Sequence, residues 1–296
     1  MKSSNFIHPS DKLALDAIRD IPGINLVIKK FFEVCSERQY RAQCLATKVR
    51  LSPTQLPNIY NKLPPICKRL NIPVPEFFLE ANVTPNASAF GETNPIICLT
   101  SGLITSMTDD EIESVIAHEC GHIACHHMLY HSLAFALVSF ASSFDVLGLA
   151  LKPVLWALFK WSRCSELSAD RAAAYALQSV QQVVNAQLRL SGGPNSITKH
   201  VDIEEFIKQA DEFEAYGKDM LTGLMKNMLA LNETHPFAAV RVREIIKWGQ
   251  SWEYQNMIKD SSKSELANLT KKTCPRCKYV VDPQWIFCKH CGEKIG

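Results

Sequence analysis

His118-Glu119-Cys120-Gly121-His122 constrains this chain more than any other segment. Two imidazoles four positions apart can meet one ion only if the backbone between them is helical, because residues i and i+4 share a helix face. The HExxH spacing is that of a zinc site with a general base built in: two histidine ligands flank a glutamate that can take a proton from metal-bound water. The flanks agree with a helix. Thr108-Asp109-Asp110-Glu111 has the form of a capping box, and Ile112, Val115, Ile116 and Ile123 follow at helical spacing.

Two histidines leave a tetrahedral ion short of a ligand, so a third protein donor must come from elsewhere in the chain. No third histidine follows at the metzincin spacing, whereas Ser165-Glu166-Leu167-Ser168-Ala169-Asp170 lies in an alanine-rich helical run. Glu166 is the expected third ligand. Asp170, four residues later on the same face, is the expected acceptor for the outer ring N–H of a ligating histidine.

These residues carry a resemblance. HExxH, a hydrophobic stretch, Trp161-Ser162-Arg163 and then Glu166-Leu167-Ser168-Ala169-Asp170-Arg171 resemble the HtpX-like zinc metallopeptidases, relatives of the CAAX prenyl endopeptidases and the Oma-type proteases. The similarity continues upstream through Pro85-Asn86-Ala87-Ser88-Ala89-Phe90-Gly91 and Ile96-Ile97-Cys98-Leu99-Thr100-Ser101-Gly102-Leu103, and downstream through Thr234-His235-Pro236-Phe237 with Arg241. It implies a gluzincin fold of the zincin type and zinc-dependent hydrolysis of peptide bonds in proteins or peptides, with protein quality control as the expected setting. Asn86 to Phe90 is then expected beside the substrate cleft, where an edge strand can pair with an extended peptide backbone.

The ligand set dictates the expected chemistry. Zinc on His118, His122 and Glu166 activates a water, Glu119 takes its proton and passes it to the leaving amine, and the developing oxyanion needs a donor. His235 is the expected donor, with Arg241 and Arg243 behind it; His235 could instead cover the open zinc position or cap the helix starting near Pro236. His126, His127 and His131 prolong the zinc helix, His126 on the ligand face, but are expected to be core or surface histidines because the set is complete without them.

Composition adds bounds rather than identity. A chain that is 47% hydrophobic and 21% charged with net charge +2 has an ordinary core and no broad affinity for polyanions. The N-terminus has no apolar h-region, and seven of the eleven cysteines form no disulfide framework, so a reducing, cytoplasmic setting is expected, with membrane association as a variant. The other four, Cys274, Cys277, Cys288 and Cys291, form two CxxC knuckles ten residues apart, the pattern of a closed zinc ribbon whose metal is structural.

The expected organisation is an α+β, mainly helical metallopeptidase domain with a small sheet over residues 1–258, a polar linker over 259–273 and the four-cysteine ribbon over 274–296. One catalytic and one structural zinc follow. The ribbon holds six Lys or Arg against two Asp or Glu from Lys271 to Gly296, with aromatics at Tyr279, Trp285 and Phe287. A protein partner there is favoured over nucleic acid, because four thiolates add negative charge. A non-proteolytic adaptor or chaperone docking through the ribbon is the alternative to a protease.

Within the main domain, short helices over Lys12–Ile18, Leu26–Cys44 and Ser52–Leu70 are expected, then strands at Phe77–Glu80 and Ile96–Leu99, and later helices from Val201 and over Met220–Leu231. Between the metal-binding segments, residues 128–163 are strongly apolar. A single crossing would put His122 and Glu166 on opposite sides of a bilayer, so a helical hairpin turning near Asp145 and Gly148 is expected, buried or touching a membrane, its arms shorter than the ~20 residues a span needs.

Overall fold

The computed structural model describes residues 5–34, 37–141, 145–215, 237–269, 272–281 and 286–294, which fall into two compact units, Met1–Trp248 and Gly249–Gly296. In the first, helices α1 (Pro9–Arg19), α2 (Ile24–Val34) and α3 (Glu37–Thr47) lead through β1 (Val49–Arg50), α4 (Pro57–Tyr60) and α5 (Leu63–Leu70) to strands β2 (Glu76–Glu80), β3 (Ala87–Phe90) and β4 (Ile96–Thr100). Helices α6 (Ser101–Ser106), α7 (Asp109–Ala124), α8 (Met128–Ala141), α9 (Asp145–Leu177), α10 (Val180–Gly192), α11 (Asn195–Thr198), α12 (Ile203–Ala215) and α13 (Ala238–Gly249) follow. The second unit holds α14 (Trp252–Leu269) and a two-stranded ribbon, β5 (Lys272–Thr273) antiparallel to β6 (Val280–Val281). The mainly helical α+β architecture expected from the sequence is what the chain adopts.

The four-stranded sheet runs β1-β2-β4-β3, with β2 and β4 parallel at the centre and β1 and β3 antiparallel at the edges. The central position of β4 explains its unbroken apolar run, since every residue from Ile96 to Thr100 is buried. Thr100 then turns the chain into α6 by accepting the Leu103 N–H on its hydroxyl. The capping box read at Thr108 is formed: Thr108 accepts from Glu111 N–H while the Glu111 carboxylate accepts from Thr108 N–H. Glu111 is further clamped by Arg189 of α10, at 2.7 and 3.0 Å.

Helix α7 packs against α9 through small residues, with Ala117, Ala169, Ala172 and Ala173 fully buried. Gly121 permits the closest approach: a Cβ there would lie 2.7 Å from the Ala169 carbonyl oxygen. On the far side, Ile18 of α1, Leu133 and Leu137 of α8 and Leu158 and Trp161 of α9 share one apolar cluster. The expected hairpin is therefore a pair of packed helices. Of the two residues expected at its turn, Asp145 is the first of α9 and Gly148 lies inside that helix, as does Pro153. Among the described residues no helix is long and apolar enough to cross a membrane.

Other boundaries moved for tertiary reasons. Of Leu26–Cys44, read as one helix, the described residues fall in α2 and α3 on either side of positions 35–36, and Glu37 at the start of α3 is pinned by accepting the N–H groups of Glu92 at 2.7 Å and Thr93 at 3.0 Å. Ser52–Leu70 divides at prolines, which sit in the first turns of α4 and α5 where no donor is needed. Residues 259–269, read as linker, are helical; their Lys, Ser, Glu, Ala and Leu contain no Gly or Pro to stop α14. The Met220–Leu231 segment lies outside the described residues.

Candidate active site

Three helices converge on one point. α7 brings His118, Glu119 and His122, α9 brings Glu166 and Asp170, and α13 brings Arg241, all of them buried. The i,i+4 spacing of each pair aims both side chains the same way, and the tight α7–α9 packing brings the faces together. The two Nε2 atoms of His118 and His122 lie 3.1 Å apart, and each lies 3.3 Å from an oxygen of Glu166. Ligand atoms held at 2.0–2.1 Å around a tetrahedral zinc ion are separated by about 3.3 Å, so this triangle has the size of one face of such a site.

Charge gives a second test of fit. Glu119, Glu166 and Asp170 bring three buried carboxylates against the one guanidinium of Arg241. A divalent cation is the kind of charge such a group of carboxylates accepts. The donor set, two imidazole nitrogens and one carboxylate, is also the one that catalytic zinc accepts.

Asp170 organises the periphery. Its Oδ1 lies 2.9 Å from His118 Nδ1, so the ring donates there and turns Nε2 toward the triangle. Arg241 donates to both Asp170 oxygens, at 2.7 and 2.8 Å, and places Nη1 2.9 Å from Glu166; Gln187 of α10 donates to Asp170 at 3.3 Å. Burial alone would raise the Asp170 pKa, but Arg241 outweighs it and holds the carboxyl at about 2. Burial pulls His118 down, yet its hydrogen bonds to Asp170 and Glu166 dominate and lift it to about 9. His122 is driven below the ordinary histidine range by burial.

A cleft opens beside Glu119. Asn86 and Ala87, at the start of edge strand β3, line it, as expected for that segment, and so do the apolar Val183, Ala186 and Leu190 of α10. Arg243 is not here: it pairs with Asp211 and Glu214 of α12. His235 lies outside the described residues. His126 does not share the ligand face, because α7 ends at Ala124 and His126, at φ +58°, turns outward to Glu92.

His127, by contrast, is buried, with Nδ1 2.9 Å from His122 Nδ1 and Nε2 3.0 Å from Asp11 of α1. His131 on α8 lies 3.0 Å from the Ser165 hydroxyl. Neither Asp11 nor the full engagement of Arg241 had a signal in the sequence beyond the presence of charge.

In the second unit, Cys274, Cys277, Cys288 and Cys291 bring their sulfurs together, with Cys274–Cys291 at 3.5 Å and Cys277–Cys288 at 3.7 Å. Four thiolates around zinc at 2.3 Å stand about 3.8 Å apart, so this group also fits the ion. Tyr279 stacks on His290 at 4.8 Å, and Phe287 is exposed; Trp285 lies outside the described residues.

Comparison with known proteins covers both parts of the chain. The zinc-ribbon domain model matches residues 270–295. "Plastoglobule-localized metallopeptidase 48, chloroplastic" of Arabidopsis thaliana is 29% identical over 266 residues, 89% of this chain and 77% of its own length. A "Protease HtpX homolog" of Burkholderia thailandensis is 24% identical over 266 residues, 78% of this chain and 86% of its own. Another, from Gemmatimonas aurantiaca, is 28% identical over 189 residues, 55% of this chain and 66% of its own. With the model of peptidase family M48 matching residues 53–249, a span that holds HExxH, Glu166, Asp170 and Arg241, the chain belongs to that metallopeptidase family.

Proposed function

We propose that this chain is an endopeptidase that uses zinc held by His118, His122 and Glu166 to hydrolyse peptide bonds of proteins or peptides. The observation that carries the reading is the triangle of 3.1–3.3 Å between those side chains, with Glu119 next to it at the cleft. When bound there, zinc lowers the pKa of a coordinated water and polarises the scissile carbonyl.

The chain's residues supply the rest. Glu119 takes the proton of the attacking water and returns it to the leaving amine. Asp170 orients His118, and Arg241 holds Asp170 and Glu166 in register, which leaves Arg241 committed to those carboxylates rather than to substrate. β3, at the edge of the sheet, pairs with an extended substrate backbone, and Val183, Ala186 and Leu190 receive an apolar side chain next to the scissile bond. His235 is the sequence's donor for the oxyanion. In the second unit, four cysteines hold a structural zinc, and an exposed Phe287 suits a protein partner.

Casein, an unfolded protein, is the substrate of choice for the test. The 296-residue chain should cleave it, lose activity to a chelator and regain it on adding zinc, and the new N-termini should begin with apolar residues. Zinc-loaded protein that leaves casein and other extended peptides intact would refute the assignment.

A further inference from the structure

The two candidate histidine ligands are supported differently. His118 donates directly to a carboxylate, Asp170. On its Nδ1 side His122 meets a second imidazole instead: its Nδ1 lies 2.9 Å from His127 Nδ1, and His127 Nε2 lies 3.0 Å from Asp11 Oδ2. We propose that Asp11 and His127 form a two-step brace that fixes the tautomer and orientation of His122 for metal binding. The proposal rests on the zinc site proposed above.

The direction of the chain follows from what each atom can do. An ionised carboxylate only accepts, so His127 donates from Nε2 to Asp11. A neutral imidazole with its proton on Nε2 accepts on Nδ1, so His122 must donate from its own Nδ1. That leaves the His122 Nε2 lone pair facing His118 and Glu166. One acceptor on α1 thus sets two tautomers in succession and ends at the ligand atom.

The backbone is shaped for this contact. α7 ends in a Schellman turn, with His126 left-handed at φ +58°, the His127 N–H on the His122 carbonyl at 3.0 Å and the His126 N–H on the Ile123 carbonyl at 3.1 Å. Such a turn folds its last residue back over the one five positions earlier, where an apolar contact is usual; here two imidazoles meet. Asp11 is fixed in turn, since Trp161 Nε1 donates to its Oδ1 at 2.8 Å and Ser168 Oγ to its Oδ2 at 2.6 Å. Ser168 itself accepts the His8 N–H at 2.9 Å, closing the link between α1 and α9.

Asp11→Asn, His127→Gln and His127→Leu test the brace by catalytic-site metal affinity, measured by competition with a chromophoric zinc chelator. Cobalt titration assigns the sites, because the thiolate absorption of the four-cysteine group is an internal reference. Outer partners of this kind typically change affinity by about 10- to 100-fold, so Asp11→Asn and His127→Leu should weaken the catalytic site at least tenfold and leave the thiolate site unchanged. His127→Gln, whose amide can accept from His122 and donate to Asp11, should recover most of the loss.

Folding is checked by circular dichroism, and if His127→Leu does not fold, Asp11→Asn decides. A folded Asp11→Asn protein with wild-type affinity overturns the brace, as does a folded His127→Leu protein that binds as tightly as His127→Gln. Wild-type protein that holds only the thiolate-bound metal would instead refute the catalytic zinc site.

Discussion

Gly121 of α7 and Ala169 of α9 meet backbone to backbone. A Cβ on Gly121 would stand 2.7 Å from the Ala169 carbonyl oxygen and 3.0 Å from its Cα, so no side chain fits without parting the helices. Three residues before Ala169 is Glu166, and on either side of Gly121 are Glu119 and His122, so the contact sets the distance between the candidate ligands.

Gly121→Ala is therefore a diagnostic change. Helix propensity alone would make it stabilising by about 1 kcal/mol. The packing predicts the opposite sign: a lower melting temperature together with weaker zinc binding at the catalytic site, measured by thermal unfolding and chelator competition on one preparation.

Arg241 binds Asp170 and Glu166 together, and all three are buried. Removing one partner of such a network leaves charge unpaired and costs about 3–5 kcal/mol. Arg241→Met should lower the denaturant midpoint accordingly. Arg241→Lys should recover little, because one ammonium cannot reach both carboxylates with the fork of a guanidinium. Equilibrium denaturation of the three proteins checks this.

His8 gives a signed pH effect. Burial, helped by Arg171, lowers its pKa from 6.5 to about 4, so the folded protein resists the proton that the unfolded chain takes up first. The stability it contributes is complete above pH 6.5 and is lost as pH falls toward 4. His8 Nδ1 also accepts the Ser10 N–H at the start of α1, a role that asparagine can fill. His8→Asn should therefore lose less melting temperature between pH 7.5 and pH 4.5 than wild type does; melting curves at several pH values test it.

The cysteine group should behave independently of hydrolysis. Cys288→Ser is expected to reduce zinc from two ions per chain to one, by metal analysis, and to leave casein cleavage in place.

How much of this was legible in the sequence depends on range. The capping box at Thr108, the helix through HExxH and the pairing of Glu166 with Asp170 are local patterns, and periodicity reveals them. β3 beside the cleft came from resemblance, because Ala87-Ser88-Ala89-Phe90 alone reads equally as a turn. What stayed hidden depends on distant partners. Arg241 lies 71 residues from Asp170, and Asp11 lies 116 from His127, separations at which no spacing rule operates. His126 left the expected ligand face because the helix stops at Ala124, and helix ends are where periodic extrapolation fails. The anchoring of Glu37 is hidden for the same reason, since its partner is a loop more than fifty residues away.

The central claim is that Glu119 moves the proton while zinc stays on its neighbours, and Glu119→Gln isolates it. The measurement is casein cleavage with zinc content, wild type beside the variant. Two zinc ions per chain in both proteins, with cleavage only by wild type, is the predicted result. Cleavage by Glu119→Gln at the wild-type rate would contradict it.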